Sequence, residues 1–197
     1  MEDALEMWIY DNAELFRYAG ELSCMRESGK NILLSGDVSA FLASTFRKMY
    51  PDAVITAVDE NEKRLEEARK EDPSLIVKNE KFDRYFDEKA SYDIVVSALQ
   101  VEKLDTRELV SYLYNLSDMI EKGGNLLISF PAAHTFSIAG KELIPSWYSM
   151  DEKIYMKRYL PEEIARAVNM IGFDLRALEK DENPDLETVV TIHAVKK

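Results

Sequence analysis

Cysteine is almost missing from this chain. Cys24 stands alone among 197 residues, which excludes an internal disulfide and any metal site built on several thiolates. Its surroundings, YAGELSCMRES, read as a half-apolar helix, so a buried, inert thiol is expected there rather than a nucleophile. Long apolar runs are missing too; none approaches the roughly 20 residues that a membrane-crossing helix needs. The opening residues MEDALEMW are acidic and carry neither the basic region nor the apolar core of a secretory signal, and the expected location is cytoplasmic. Positive charge is in short supply. With 25 Lys and Arg against 37 Asp and Glu, the formal charge is -12. The basic residues do not cluster but alternate with glutamates, as in NEKRLEEARK, the pattern of a solvated helix face. Neither nucleic acid nor an anionic membrane is therefore an expected partner.

What is present is an ordinary globular composition, 46% hydrophobic and 31% charged, enough for one well-filled core and one domain spanning 1–197. No repeat, low-complexity tract or linker divides it. Residues 2–28 read as one or two helices, with Leu5, Trp8, Ile9, Leu15, Phe16, Leu22 and Met25 near helical spacing and Gly29 as the stop. NILLS is then a buried-type strand, and DVSAFLASTFRKMY a helix whose cap candidates are Asp37 and Ser39. AVITAVD, SLIVKN and YDIVVSAL follow as further strands, with ENEKRLEEARKE as the helix between the first two. TRELVSYLYNLSDMIEK is a long helix ended by Gly123 and Gly124, and NLLISF a fifth strand. Strands that are nearly continuous in apolar residues and alternate with helices imply a parallel sheet covered on both faces. Beyond it come the helix LPEEIARAVNMIGF and two strands, DLRALEK and ETVVTIHAVK, joined closely enough to form an antiparallel hairpin.

Open parallel sheets bind ligands outside the carboxyl ends of their strands, where strand order reverses. The loop after the first strand, SGDVSA, and the end of the second strand meet there. Asp59 ends that second strand 23 residues after Gly36, close to the spacing at which a carboxylate accepts hydrogen bonds from both hydroxyls of a ribose. The alternative is that Asp59 caps the following helix. A dinucleotide would lay its pyrophosphate on this loop, but GDVSAF lacks two of the three glycines required, and Asp37 would repel phosphate. NAD and FAD are disfavoured on that ground.

The stretches NILLSGDVSAFLASTFRKMYPDAVITAVDENEKRLEEAR, SYDIVVSALQVEKLDTRELVSYLYNLSDMIEKGGNLLISFP and RYLPEEIARAVNMIGF together resemble the class I S-adenosylmethionine-dependent methyltransferases of small-molecule type, from about residue 30 onward. The resemblance implies an α/β fold: a Rossmann-like three-layer sandwich around a mostly parallel seven-stranded sheet, order 3-2-1-4-5-7-6, with the last strand antiparallel. It implies S-adenosylmethionine as cofactor, held by Gly36, Asp37, Asp59, Asp83 near the adenine, and Ser97. Departures sit in the glycine loop, where Leu34 replaces an acid and Val38 and Ala40 replace glycines. A β-branched residue is a poor substitute where positive φ is needed, so reduced affinity is expected.

Methyl transfer needs alignment of the acceptor, and a base only where a proton must leave. Gln100 stands where relatives often carry a histidine, and no NPPY-type motif for amide or base nitrogens is present. The segment PAAHTFSIAGKELIPSWYSMDEKIYMKRY is long, aromatic and non-periodic, as expected of a substrate-side lid. In it His134 is the candidate base, or a loop histidine without chemistry, and Trp147, Tyr148 and Tyr155 join Gln100 as candidate acceptor contacts. Trp8 and Tyr10 could close the same site or belong to a core helix. The expected plan is then a helical segment 1–28, a cofactor-binding core 30–131, the lid 132–160, and a C-terminal helix and hairpin 161–197. Transfer of a methyl group to a small-molecule acceptor leads. A non-catalytic interaction subunit and another S-adenosylmethionine-using transferase, such as one moving an aminocarboxypropyl group, remain open, as does a homo-oligomer.

Overall fold

The computed structural model describes residues 31–36, 39–82, 85, 91–133, 142–146, 149–181 and 189–197. Its elements in order are β1 (Asn31–Ser35), α1 (Ser39–Met49), β2 (Val54–Asp59), α2 (Glu62–Glu71), β3 (Ile76–Asn79), β4 (Tyr92–Ala98), a 3-10 turn (Val101–Lys103), α3 (Thr106–Met119), β5 (Ile120–Pro131), β6 (Glu142–Ser146), β7 (Ser149–Met156), α4 (Pro161–Met170), β8 (Phe173–Asp181) and β9 (Val189–Lys196). Seven strands form one sheet in the order β3-β2-β1-β4-β5-β9-β8, with β9 antiparallel to both neighbours and β1 to β5 parallel. Since β6 and β7 pair only with each other, this is the expected 3-2-1-4-5-7-6 sheet with its last strand antiparallel.

Alternation along the strands fills both faces. Leu33 and Val95 join Leu109, Leu113 and Leu116 of α3 and Ile164 of α4, whereas Ile32, Leu34, Ile94 and Val96 join Leu42 and Phe46 of α1 and Leu65 of α2. Each such buried side chain contributes about 1.5–3 kcal/mol relative to exposure. No helix among the described residues is long and apolar enough to cross a membrane.

Two expectations require correction. The helix before the glycine pair stops at Met119, three residues early, where Ile120 turns to an extended conformation; Lys196 of β9 holds the junction, its Nζ donating to Ser117 O at 2.5 Å and Ile120 O at 2.8 Å. The glycines instead serve a register break inside β5, where Tyr92 pairs with Ile120 but Ile94 pairs with Asn125. Gly123 has φ 78, and a Cβ on Gly124 would lie 2.7 Å from Ile120 Cγ2. The segment read as non-periodic contains the β6–β7 hairpin, masked in the sequence by Pro145 near its turn.

Helix starts follow local chemistry. Asp105 caps α3 through a capping box, with Oδ1 accepting from the N–H groups of Arg107 and Glu108, both at 2.9 Å, and its own N–H donating to Glu108 Oε2 at 2.7 Å. Pro161 opens α4 where no backbone donor is needed. Ser39, expected as a cap, is the first residue of α1; its hydroxyl donates to Val58 O at 2.9 Å and ties the helix start to β2.

Candidate functional site

Strand order reverses between β1 and β4, and there Ser35 and Ser97 face each other in register. Both are buried. The Tyr112 hydroxyl, reaching from α3, donates to Ser97 Oγ at 2.9 Å and lies 3.3 Å from Ser35 Oγ, while Phe82 packs edge-on against its ring at 5.5 Å. This hydroxyl chain forms a satisfied polar floor beneath the crevice.

Above it the chain turns at Gly36, with φ 119. Its N–H donates to Val58 O at 3.3 Å and its carbonyl accepts from Ser39 N at 2.9 Å, so neither N–H is left to cradle a phosphate. A Cβ here would stand 2.8 Å from Cγ and Nε2 of Gln100. Gln100 reaches that place because Leu99 adopts φ 56, the left-handed region, at a cost of about 1–2 kcal/mol for a residue with a Cβ. Leu99 is held there by its buried side chain and by its N–H donating to Ser129 O at 2.9 Å. Gln100 is itself buried, and its Oε1 has no hydrogen-bond partner among the described residues.

The far side of the crevice is Asp59, at the end of β2 and buried. Its Oδ1 accepts from Asn61 N at 2.8 Å and Arg64 Nη2 at 2.7 Å, and its Oδ2 from Arg64 Nε at 3.0 Å. The cap of α2 is Asn61, whose Oδ1 accepts from Arg64 N at 3.2 Å, which removes capping as the reason for a carboxylate at position 59.

The near side is the turn after β4, clamped by the chain entering α4. Lys157 N donates to Glu102 O at 2.6 Å, its Nζ donates to Thr106 Oγ1, and it lies 4.6 Å from the centre of the Tyr159 ring. Tyr159 donates to Leu104 O at 2.9 Å. Burial pushes the Tyr159 phenol well above its ordinary range, with Asp105 adding to the rise, so it stays a neutral donor. No cluster of three or more His, Cys, Asp or Glu suited to a metal occurs among the described residues.

No protein-family profile and no curated protein matches this sequence. Solved structures do match. A 1,6-didemethyltoxoflavin N1-methyltransferase from Burkholderia thailandensis, with bound 1,6-didemethyltoxoflavin and S-adenosylhomocysteine, superposes with a TM-score of 0.76 at 14% identity, over 100% of this chain and 83% of that one. The N-methyltransferase NodS from Bradyrhizobium japonicum, in complex with S-adenosylhomocysteine, gives 0.68 at 14% identity over 93% and 86%. An S-adenosylmethionine-dependent methyltransferase from Mesorhizobium loti gives 0.66 at 14% identity over 86% and 92%. This chain has the class I methyltransferase fold.

Within that fold, the crevice brings together Gly36, Asp59, Ser97 and Gln100 of the residues singled out from sequence. Asp37, Asp83, His134, Trp147, Tyr148, Trp8 and Tyr10, with the rest of the N-terminal segment, lie outside the described residues. Tyr155 lies in β7, paired with Leu143 of β6. Ala40, read as a glycine-loop position, is inside α1 and packs in the apolar cluster with Leu42 and Phe46; an alanine there needs no positive φ. Arg64 and Tyr112 went unnoticed in the sequence. The first looked like one more charge on a solvated face and the second like a core residue of an amphipathic helix, and only the spacing of Arg64 from Asp59 hinted at a pair.

Proposed function

We propose that this chain is an S-adenosylmethionine-dependent methyltransferase acting on a small-molecule acceptor, with the cofactor lying across the ends of β1, β2 and β4. The observation that carries the reading is the placement of the Asp59 carboxylate at the end of β2, without a capping role, beside the sharp turn at Gly36. The residues present fit the group. The crevice offers acceptors, in Asp59 and in Gln100 Oε1, which has no partner among the described residues, to a ligand that carries hydroxyl and ammonium donors and no phosphate.

When bound, the cofactor supplies a methyl carbon already activated by sulfonium. Asp59 accepts from the two ribose hydroxyls, Gly36 leaves room for close backbone approach, and Asp37 and Asp83 favour the cationic and adenine ends respectively. Ser97 lines the crevice floor. Gln100, Trp147, Tyr148 and Tyr155 align the acceptor, and His134 takes a proton where the acceptor must lose one. The neighbours solved with S-adenosylhomocysteine, one of them also with its small-molecule substrate, support cofactor and substrate class by analogy of fold.

Calorimetry with S-adenosylhomocysteine tests this directly, paired with thermal unfolding. Ligand at a hundred times Kd should stabilise the fold by about 2.7 kcal/mol. No binding at millimolar ligand would overturn the reading. Once an acceptor is found by metabolite screening, Trp147→Ala or His134→Ala should abolish transfer and leave cofactor affinity nearly intact; parallel loss of both would remove the segment from the acceptor side.

One observation favours a second reading, a methyltransferase-fold binding protein without transfer activity. Both oxygens of Asp59 are already engaged by its own chain.

A further inference from the structure

Arg64 sits in the first turn of α2 and Asp59 at the end of β2, so the short turn between them folds the guanidinium back over the strand end. Two parallel hydrogen bonds, Nη2 to Oδ1 at 2.7 Å and Nε to Oδ2 at 3.0 Å, give the fork geometry that is strongest for this pair. The Asp59 side chain has no solvent exposure, whereas a quarter of the Arg64 side chain reaches solvent. A vicinal diol that takes a carboxylate with both hydroxyls needs these same two oxygens, and with the Asp59 side chain wholly buried beside the guanidinium no exposed face of it is left for the diol. Diol and guanidinium therefore compete for the carboxylate.

We propose that Arg64 is an internal competitor of the ligand's vicinal hydroxyls for Asp59: it grips the carboxylate until the ribose displaces it, and its side chain, a quarter of which is already exposed, can move toward solvent. The exchange keeps Asp59 hydrogen-bonded throughout, which matters because a buried carboxylate stripped of its partner is costly. Arg64 thereby sets both the affinity of the site and its dependence on an intact diol. Apparent affinity is reduced by the fraction of molecules in which Arg64 has let go, so the residue acts on diol ligands alone. The inference rests on the ribose role proposed above for Asp59.

The test is calorimetry of wild type, Arg64→Met and Arg64→Lys with S-adenosylhomocysteine, adenosine and 2′,3′-dideoxyadenosine. Arg64→Met should bind the two diol ligands about tenfold tighter than wild type and the dideoxy ligand equally. Arg64→Lys, which keeps the charge but loses the fork, should fall between. A merely structural role for Arg64 would lower the melting temperature without changing the ratio of adenosine to dideoxyadenosine affinity. If wild type binds S-adenosylhomocysteine while the variants bind it equally or more weakly, the competitor role is overturned and the cofactor reading stands. If none of the three proteins binds it, the cofactor reading falls and takes this inference with it. Should Arg64→Met fail to fold, the Nε–H resonance of Arg64 in the wild type decides: it must shift as S-adenosylhomocysteine saturates the site, and a resonance that stays put overturns the proposal.

Discussion

A Cβ built on Gly36 would lie 2.0 Å from the carbonyl oxygen of Ala98, closer than any real contact. The ends of β1 and β4 therefore touch through backbone, with no side chain between them. Relief would require one strand end to move, because the obstructing atom is main chain. Combined with φ 119, this predicts that Gly36→Ala costs about 3 kcal/mol or more of folding stability. Urea denaturation measures it, and a variant within 0.5 kcal/mol of wild type would mean that the turn follows another path.

Leu99 reverses an ordinary ranking. Glycine is normally less stable than alanine by roughly 0.5–1 kcal/mol, but φ 56 penalises any residue with a Cβ by about 1–2 kcal/mol. Both truncations lose the buried leucine, so the comparison between them isolates the backbone. Leu99→Gly should be more stable than Leu99→Ala by about 1 kcal/mol in matched denaturation curves. The opposite order would show that the turn relaxes at little cost.

Asp59→Ala should weaken S-adenosylhomocysteine binding by about 1–3 kcal/mol, the usual loss for hydrogen bonds to a charged acceptor. Equal affinity in isothermal titration of wild type and variant would remove Asp59 from the binding site.

His193 sits in β9, with Nε2 2.9 Å from Asn125 Oδ1. Burial lowers its pKa below the ordinary 6.5, and the charge of Arg176 lowers it further. The unfolded chain therefore binds a proton more readily than the folded one. Stability from this group is complete above pH 6.5 and is lost as pH falls from there toward the folded pKa. His193→Gln should flatten that part of the stability profile, measured as urea midpoints between pH 7 and 5.

The alternating apolar strands and helix patterns already contained the doubly covered parallel sheet, since a strand buried on both faces must be apolar almost throughout. The positions of Gly36 and Asp59 were legible for the same local reason: turn conformation and strand end are properties of a few adjacent residues. The β6–β7 hairpin was not legible, because Pro145 is a breaker unless an edge position excuses it. Nor was the early end of α3, since a glycine pair after a helix ordinarily caps it.

Sequence alone thus determined the architecture of this protein and the strand ends on which its site is built, because periodicity and turn chemistry are short-range. Only the tertiary structure decided what those ends touch. Lys196 reaches Ser117 of α3 from across 79 residues, at the place where the helix gives way to β5. Leu99 is driven into a left-handed turn that lays Gln100 on Gly36, and Tyr112 joins Ser35 to Ser97 across the switch point. Such contacts bring together residues far apart in the chain, and the free energy that holds a strained φ or a buried hydroxyl in place comes from the packed surroundings rather than from the residue itself.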